Sequence, residues 1–340
     1  MKRAVTMGEM MIRLMPPENL RFEQAMSFNV FWGGDESIVA AFLARCGVAM
    51  TYVTKLPEGV FGDIAIQHLR TQGIDTSCIA RGGKRIGLNF YENGASVRPS
   101  RVIYDRENSA VAEAEESDFN FDAIFRGADW FHVSGITPAL SDGMAAITMK
   151  ALQAAKKHGA TVSFDLNYRR RLWSPEKARE VVSELMQYVD VCIGNEEDAA
   201  IMLGFKPKST NVEAGRISVD DYKEIFEAMR KAYGFKIVAS TLRESHSASD
   251  NGWSSIAYDG KEFCVSRKYN LHLVDRGGGG ASFAAGLIRG LLKGATLKEA
   301  TEFAAAASAL KQTIVGDFNL VTEAEVVELV NGNASGRVQR

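Results

Sequence analysis

Two rhythms of hydrophobic positions alternate along this chain, and their order predicts its architecture. Val5 to Met15 reads as a buried first strand interrupted at Gly8-Glu9. Phe28-Asn29-Val30-Phe31-Trp32 alternates and stops at Gly33-Gly34, as a sheet with one exposed face would. Ile38, Val39, Phe42 and Leu43 fall at helical spacing between Glu36 and Arg45, and Gly47 closes that helix. A strand is predicted at Met50–Thr54 and a helix at Asp63–Gln72. Then the pattern changes. Arg85–Tyr91 and Arg101–Tyr104 are strand-like with no helix between them, which predicts a hairpin with a long loop. With Phe28–Trp32 they would form a small sheet apart from the main one.

From Phe121 the alternation is regular. Strands are predicted at Trp130–Val133, Thr161–Phe164, Val189–Ile193 and Lys236–Ser240. Helices are predicted at Asp142–His158, Ser174–Gln187, Glu196–Leu203 and Val219–Tyr233. Such alternation means an α/β fold with a mostly parallel sheet covered on both faces. Trp253–Tyr258 and Glu262–Ser266, joined at Asp259-Gly260, predict a hairpin at an antiparallel edge. A β-like run, Asn270–Val274, leads through a glycine run into a helix at Ala284–Leu292. Helices at Lys298–Thr313 and Thr322–Val330 complete the pattern; the run Ala304–Ala307 suggests close helix packing, and Asn331–Arg340 reads as a frayed polar tail.

Composition narrows the class. The 340 residues allow a large core and one or two domains, and the 46% hydrophobic and 24% charged content is ordinary for a globular protein. A formal net charge of −2 gives no electrostatic reason to expect nucleic acid or a membrane surface. Cys46, Cys78, Cys192 and Cys264 are widely spaced, which predicts reduced thiols and neither a disulfide framework nor a zinc site. His68, His132, His158, His246 and His272 are equally scattered. Met1–Glu9 lacks a signal-peptide core and no stretch approaches a membrane span, so a cytoplasmic chain is expected.

The candidate chemistry sits where predicted strands end, the usual ligand position in open α/β sheets. Foremost is Asp275-Arg276-Gly277-Gly278-Gly279-Gly280-Ala281, between a strand and a helix. Four glycines cost backbone entropy, and a glycine turn at a helix start presents N–H groups to an anion. A plain turn would need only one or two. Neither a G-x-x-x-x-G-K-[ST] loop nor a G-x-G-x-x-G helix start is present, which disfavours a Walker-type NTPase and a dinucleotide dehydrogenase. Gly33-Gly34 reads equally as a turn or a close approach to ligand. Asp165–Arg171 carries three arginines suited to a carboxylate or phosphate, or to solvent. Asn195-Glu196-Glu197-Asp198 opens a helix, where the dipole favours carboxylates in any case. Tyr104-Asp105-Arg106 ends a hairpin strand, and Thr241–Ser247 is expected as a loop after the Ile237–Ser240 strand.

Taken in order, Gly-Gly before the first helix, a two-stranded insertion, N-x-x-[ED] and a D-x-x-G-x-G-[D] loop resemble the ribokinase (PfkB-type) sugar kinases. Leu20–Ala25, Arg98-Pro99-Ser100, Tyr104-Asp105-Arg106, Asp165–Arg169, Leu172–Glu176 and Gly316–Leu320 carry the resemblance over nearly the whole chain, with 2-keto-3-deoxygluconate kinases most similar. It implies a single ribokinase-like domain over 1–340, with a small β-sheet lid from about 10–34 and 84–110. It implies ATP and Mg²⁺, with a monovalent cation as a further candidate, and homo-oligomers through the lid. Gly278, Gly279 and Gly280 would form the anion hole, and Gly34, Tyr104, Arg106 and Arg169 would hold the sugar acid. Asn195 and Asp198 would organise Mg²⁺ through water, with Asp198 where such kinases usually have Glu. Thr241, Arg243 and Gly252 would lie on the nucleotide side, with Ser308 and Lys311 beside the adenine.

The chain departs from that pattern at the reacting centre. Ala281 stands where the family has its Asp base, Ile38 where it has a sugar-binding Asn, and Gly277 where an apolar side chain is usual. A methyl group accepts no proton, and general-base catalysis typically contributes about 10² to 10⁴ in rate. The expectation is a kinase scaffold with little turnover. A non-catalytic protein that binds nucleotide or sugar acid, and a kinase for a different sugar, are the alternatives.

Overall fold

The computed structural model describes residues 1–206 and 219–333. Its strands are β1 (Arg3–Met7), β2 (Met11–Met15), β3 (Asn29–Gly33), β4 (Ala49–Leu56), β5 (Ile79–Arg81), β6 (Gly87–Glu92) and β7 (Arg101–Asp105). After these come β8 (Trp130–Ser134), β9 (Thr161–Asp165), β10 (Val191–Ile193), β11 (Ile237–Ser245), β12 (Asp250–Tyr258), β13 (Phe263–Val265) and β14 (Tyr269–His272). The helices are α1 (Asp35–Arg45), α2 (Val60–Thr71), α3 (Phe121–Phe125), α4 (Asp142–Lys157) and α5 (Pro175–Leu185). The rest are α6 (Glu196–Asp198), α7 (Val219–Tyr233), α8 (Gly279–Leu292), α9 (Leu297–Lys311) and α10 (Glu323–Val330).

Ten strands form the main sheet, in the order β13-β12-β11-β10-β9-β8-β1-β4-β5 with β14 also on β12. From β11 to β5 every pairing is parallel; β12, β13 and β14 make the antiparallel edge. The parallel strands are buried on both faces: Val5, Phe131, Val162, Phe164 and Cys192 turn to one, and Ala4, Trp130, Val191 and Ile193 to the other. One face packs on α1, α8 and α9, the other on α4, α5 and α7. Side-chain caps fix several helix starts: Ser141, Ser174 (with Pro175 following), Thr296 and Thr322 each accept a first-turn N–H.

The first strand is two strands in two sheets. Gly8 and Glu9 do not merely interrupt Val5–Met15; they carry the chain from β1 to β2, which belongs to the four-stranded sheet β3-β2-β6-β7. The expected hairpin is there as β6 and β7, and β2 lies between it and β3. Register sorts this sheet's side chains. Phe31, Arg13, Asn89 and Tyr104 form one cross-strand row, while Val30, Leu14, Phe90 and Ile103 form the next. Successive rows face opposite ways, so the first looks onto the main domain and the second away from it.

Other differences are local. β5 is a short strand absent from the sequence pattern. β11 runs on through Thr241 to Ser245, expected as loop, because β12 pairs with it along its whole length. α8 begins at Gly279, inside the glycine run. Of the polar tail, 334–340 lie outside the described residues. The cysteines are free thiols, three of them buried and Cys78 half-buried. Among the described residues no helix is long and apolar enough to cross a membrane.

Candidate active site

The carboxyl ends of β8 to β11, the glycine run and the inward row of the small sheet enclose a cavity of about 400 Å³. Gly278 has φ +76°, a left-handed turn that glycine makes without strain, and it caps α8 with no side chain in the cap. The N–H groups of Gly280 and Ala281 therefore have no partner within the helix. A Cβ on Gly280 would meet only open space, so the glycine leaves the helix start accessible from the cavity. Uncapped amides at a helix N-terminus are a fitting place for a phosphate. Ser308 secures the turn from behind by donating to the Gly279 carbonyl at 2.7 Å.

Opposite stands the Gly33-Gly34 turn. A Cβ at Gly34 would come 1.8 Å from the Glu9 carbonyl oxygen, so the chain crossover from β1 to β2 requires glycine there. α1 begins just after it with Asp35 and Glu36. Asp35 lines the cavity, and its Oδ2 has no hydrogen-bond partner. Burial raises the Asp35 carboxyl against the pull of Arg169 and Asn167, and burial together with Asp35 raises Asp165 well above its ordinary value. An unsatisfied carboxylate oxygen beside an arginine suits a polyhydroxylated acid, whose hydroxyls donate and whose carboxylate accepts.

Asn195 caps α6 by accepting the Asp198 N–H at 2.8 Å, and Asp198 Oδ1 accepts the Tyr168 N–H at 3.1 Å. Burial pushes Asp198 up to about 6. Both side chains line the cavity, yet the described residues contain no cluster of three His, Cys, Asp or Glu able to hold a metal by themselves. This donor set fits a Mg²⁺ that keeps its waters and binds mainly through phosphate oxygens.

Of the residues expected from sequence, Gly34, Ile38, Tyr104, Arg169, Asn195, Asp198, Thr241 and Gly278 to Ala281 all line this one cavity. The others lie elsewhere. Arg106 is buried in an ion pair with Glu9, which also accepts from Ser109 Oγ at 2.8 Å; the buried carboxylate of the β1–β2 crossover needs that cation. Arg106 supports the Tyr104 ring from behind, 5.2 Å from its centroid. Gly252 is a strand residue within β12, opposite Glu244 and Asn270, and Arg243 is exposed on β11. Lys311 is fully buried under the glycine turn, where desolvation lowers its ammonium to about 8. Arg170 and Arg171 are exposed, leaving Arg169 as the cavity's arginine from that loop.

Arg13, Asn89, Tyr91 and Asp317 line the cavity without having been expected there, beside Asp35 and the Arg276 of the glycine stretch. One signal was available for Arg13: a lone charge inside the apolar strand Met11–Met15. Asn89 and Tyr91 could have been found by alternation along β6.

The model of the pfkB family of carbohydrate kinases matches residues 1–320. The chain belongs to that family. The kinase is 47% identical to a solved 2-dehydro-3-deoxygluconokinase of Thermotoga maritima, with a TM-score of 0.94 over 98% of this chain and 100% of that one. It is 30% identical to a solved pfkB family carbohydrate kinase of Listeria grayi, with a TM-score of 0.90 over 97% of this chain and 100% of the other. A 2-dehydro-3-deoxygalactonokinase of Haloferax volcanii is 34% identical over 332 residues, 98% of each chain. The large parallel sheet with a smaller sheet beside it is thus the ribokinase-like arrangement of a sugar kinase.

Proposed function

We propose that this kinase transfers the γ-phosphoryl group of ATP to the terminal hydroxyl of 2-keto-3-deoxygluconate, or of its epimer at C4, and does so slowly. The observation that carries the reading is the opening of an uncapped glycine helix start into the cavity that also presents Asp35, Tyr104 and Arg169. The small sheet serves as the lid, and the relatives' substrates supply the chemical class.

In this reading Arg169 pairs with the sugar carboxylate and Tyr104, backed by Arg106, closes over the chain of hydroxyls. Asp35 accepts from a hydroxyl through its unpartnered oxygen. The N–H groups of Gly280 and Ala281 stabilise charge on the equatorial oxygens as the bond from the hydroxyl oxygen to phosphorus forms and the bond to ADP breaks. Mg²⁺, held through water near Asn195 and Asp198, would neutralise phosphate charge. The hydroxyl proton has no acceptor at Ala281 and must leave to water or to a phosphate oxygen. Ile38, whose Cδ1 lies 3.3 Å from where a Cβ on Gly278 would sit, offers no hydrogen bond to the sugar.

The test is ADP release from the chain beside its Ala281→Asp variant. Rescue by about 10² to 10⁴ supports a kinase lacking its base. Ordinary kinase rates without the substitution would refute the slow-turnover reading. The absence of a proton acceptor at Ala281 and of a hydrogen-bonding group at Ile38 also favours a second reading, a nucleotide or sugar-acid binding protein. Calorimetric binding with no ADP release even in the variant would select it, and a panel of sugars separates both from a kinase for another substrate.

A further inference from the structure

Arg13 stands in the middle of β2, yet its guanidinium leaves the small sheet for the main domain. Nη1 lies 3.2 Å from Asp275 Oδ1 and 3.0 Å from Asp317 Oδ1, and Nη2 donates to Asp275 Oδ2. Its side chain is 3% exposed. At its own end two rings of the small sheet flank it, with the Phe31 centroid 4.9 Å and the Tyr91 centroid 5.1 Å from the guanidinium carbon. An arginine gripped by two rings and two carboxylates has little freedom.

Asp275 joins three segments. Its Oδ1 accepts the Gly277 N–H at 2.8 Å and its Oδ2 accepts the Gly316 N–H at 2.9 Å, in addition to the arginine. One buried carboxylate therefore fixes the entry to the glycine run, the Gly316-Asp317 loop and the tip of a lid side chain. Gly277 supplies the room. A Cβ there would stand 2.4 Å from Arg13 Nη1, and the guanidinium is too firmly held to swing aside. The unexpected glycine at 277 thus has a steric counterpart in the arginine.

We propose that Arg13 is a positioning residue that couples the small sheet to the glycine run. Closure of the sheet sets the backbone amides that meet an anion, and an anion bound there favours closure by the same factor, as linkage requires. Only the anion half rests on the function proposed above. The tie from Arg13 to Asp275 can be tested with no ligand present.

Hydrogen exchange of the full chain, compared with Arg13→Met and Arg13→Lys, decides between coupling and a purely structural ion pair. Without ligand, the Gly277 and Gly316 amides should exchange about tenfold faster in Arg13→Met, while β8 and β9 keep their rates. Arg13→Lys, which retains charge without the fork, should fall between. With saturating ADP, β2 and β6 should gain protection in the parent chain and not in Arg13→Met. Unchanged exchange at Gly277 and Gly316 would overturn the proposal, and so would equal ADP protection of the small sheet in both proteins when ADP protects the parent's glycine run. Should Arg13→Met fail to fold, Gly277→Val keeps the arginine but occupies its space, and the same outcomes apply to it. Absence of ADP protection at the glycine run of the parent chain counts against the nucleotide reading alone, and the ligand-free comparison still decides the coupling.

Discussion

Ile38 and Ala281 are apolar side chains in a cavity that also presents Asp35, Asp165, Asp198, Asp317, three arginines and the glycine run. Restoring an amide at the first, Ile38→Asn in an Ala281→Asp background, should lower KM for the sugar acid about fivefold with kcat nearly unchanged, the size of one added neutral hydrogen bond. Initial rates over a range of sugar concentrations would show it. Glu36, one position after Asp35, has a different consequence. It is 1% exposed and accepts from Ser134 N–H, Ser134 Oγ and Thr137 Oγ1. Burial, reinforced by Asp35, raises it from 4.5 to about 7, and Tyr52 and Asp165 also face it. A carboxyl that holds its proton more tightly when folded stabilises the fold fully below its unfolded value and loses that contribution as pH rises through its folded value. Between pH 4.5 and 8, Glu36→Gln should therefore gain on the parent chain by about 3 kcal/mol in urea unfolding. A pH-independent difference between the two proteins would show that Glu36 is already ionised in the fold.

At the scale of elements, the pair α8 and α9 explains the alanine run. A Cβ on Gly286 would lie 2.7 Å from the Ala304 Cα, and one on Gly290 would lie 2.8 Å from the Ala300 Cα. The two backbones touch, so Gly286→Val must push the helices apart, at a cost of about 3 kcal/mol. A lowered urea midpoint checks this, with a further loss in nucleotide affinity because α9 carries Ser308 to the Gly279 carbonyl. Close packing was legible from Ala304–Ala307, and the parallel sheet from the regular alternation of strand-like and helical segments, because a helix between two strands returns the chain to lay them parallel. The start of α8 was misplaced because four glycines oppose helix by propensity, whereas here they permit close packing and an open amide turn. Periodicity alone left β1 and β2 as one strand, because both are apolar and it carries no record of which sheet a strand joins; only the resemblance, with a lid beginning near residue 10, separated them. The pairing of Arg106 with Glu9 was not legible because the two residues are distant in sequence.

On the scale of the whole molecule, the small sheet has two unlike faces. The row Phe31, Arg13, Asn89 and Tyr104 addresses the main domain, and the row Val30, Leu14, Phe90 and Ile103 addresses solvent. Val30 is 53% exposed and Ile103 38%, beside Phe28 at 38%. A contiguous apolar face of this kind on a sheet that must cover a site suits burial against another surface. The occupant we propose is the same face of a second copy, which would hold two lids back to back in an isologous dimer. Replacing Val30 and Ile103 by Lys puts like charges across such an interface without touching the cavity row. Sedimentation equilibrium should then show a dimer for the parent chain and a monomer for the double variant, with circular dichroism unchanged. Because the lid strands would brace each other, the monomer should also bind the sugar acid more weakly while its affinity for ADP, set mainly by the glycine run, holds. A parent chain that sediments as a monomer, or a double variant that stays dimeric, would place the contact elsewhere.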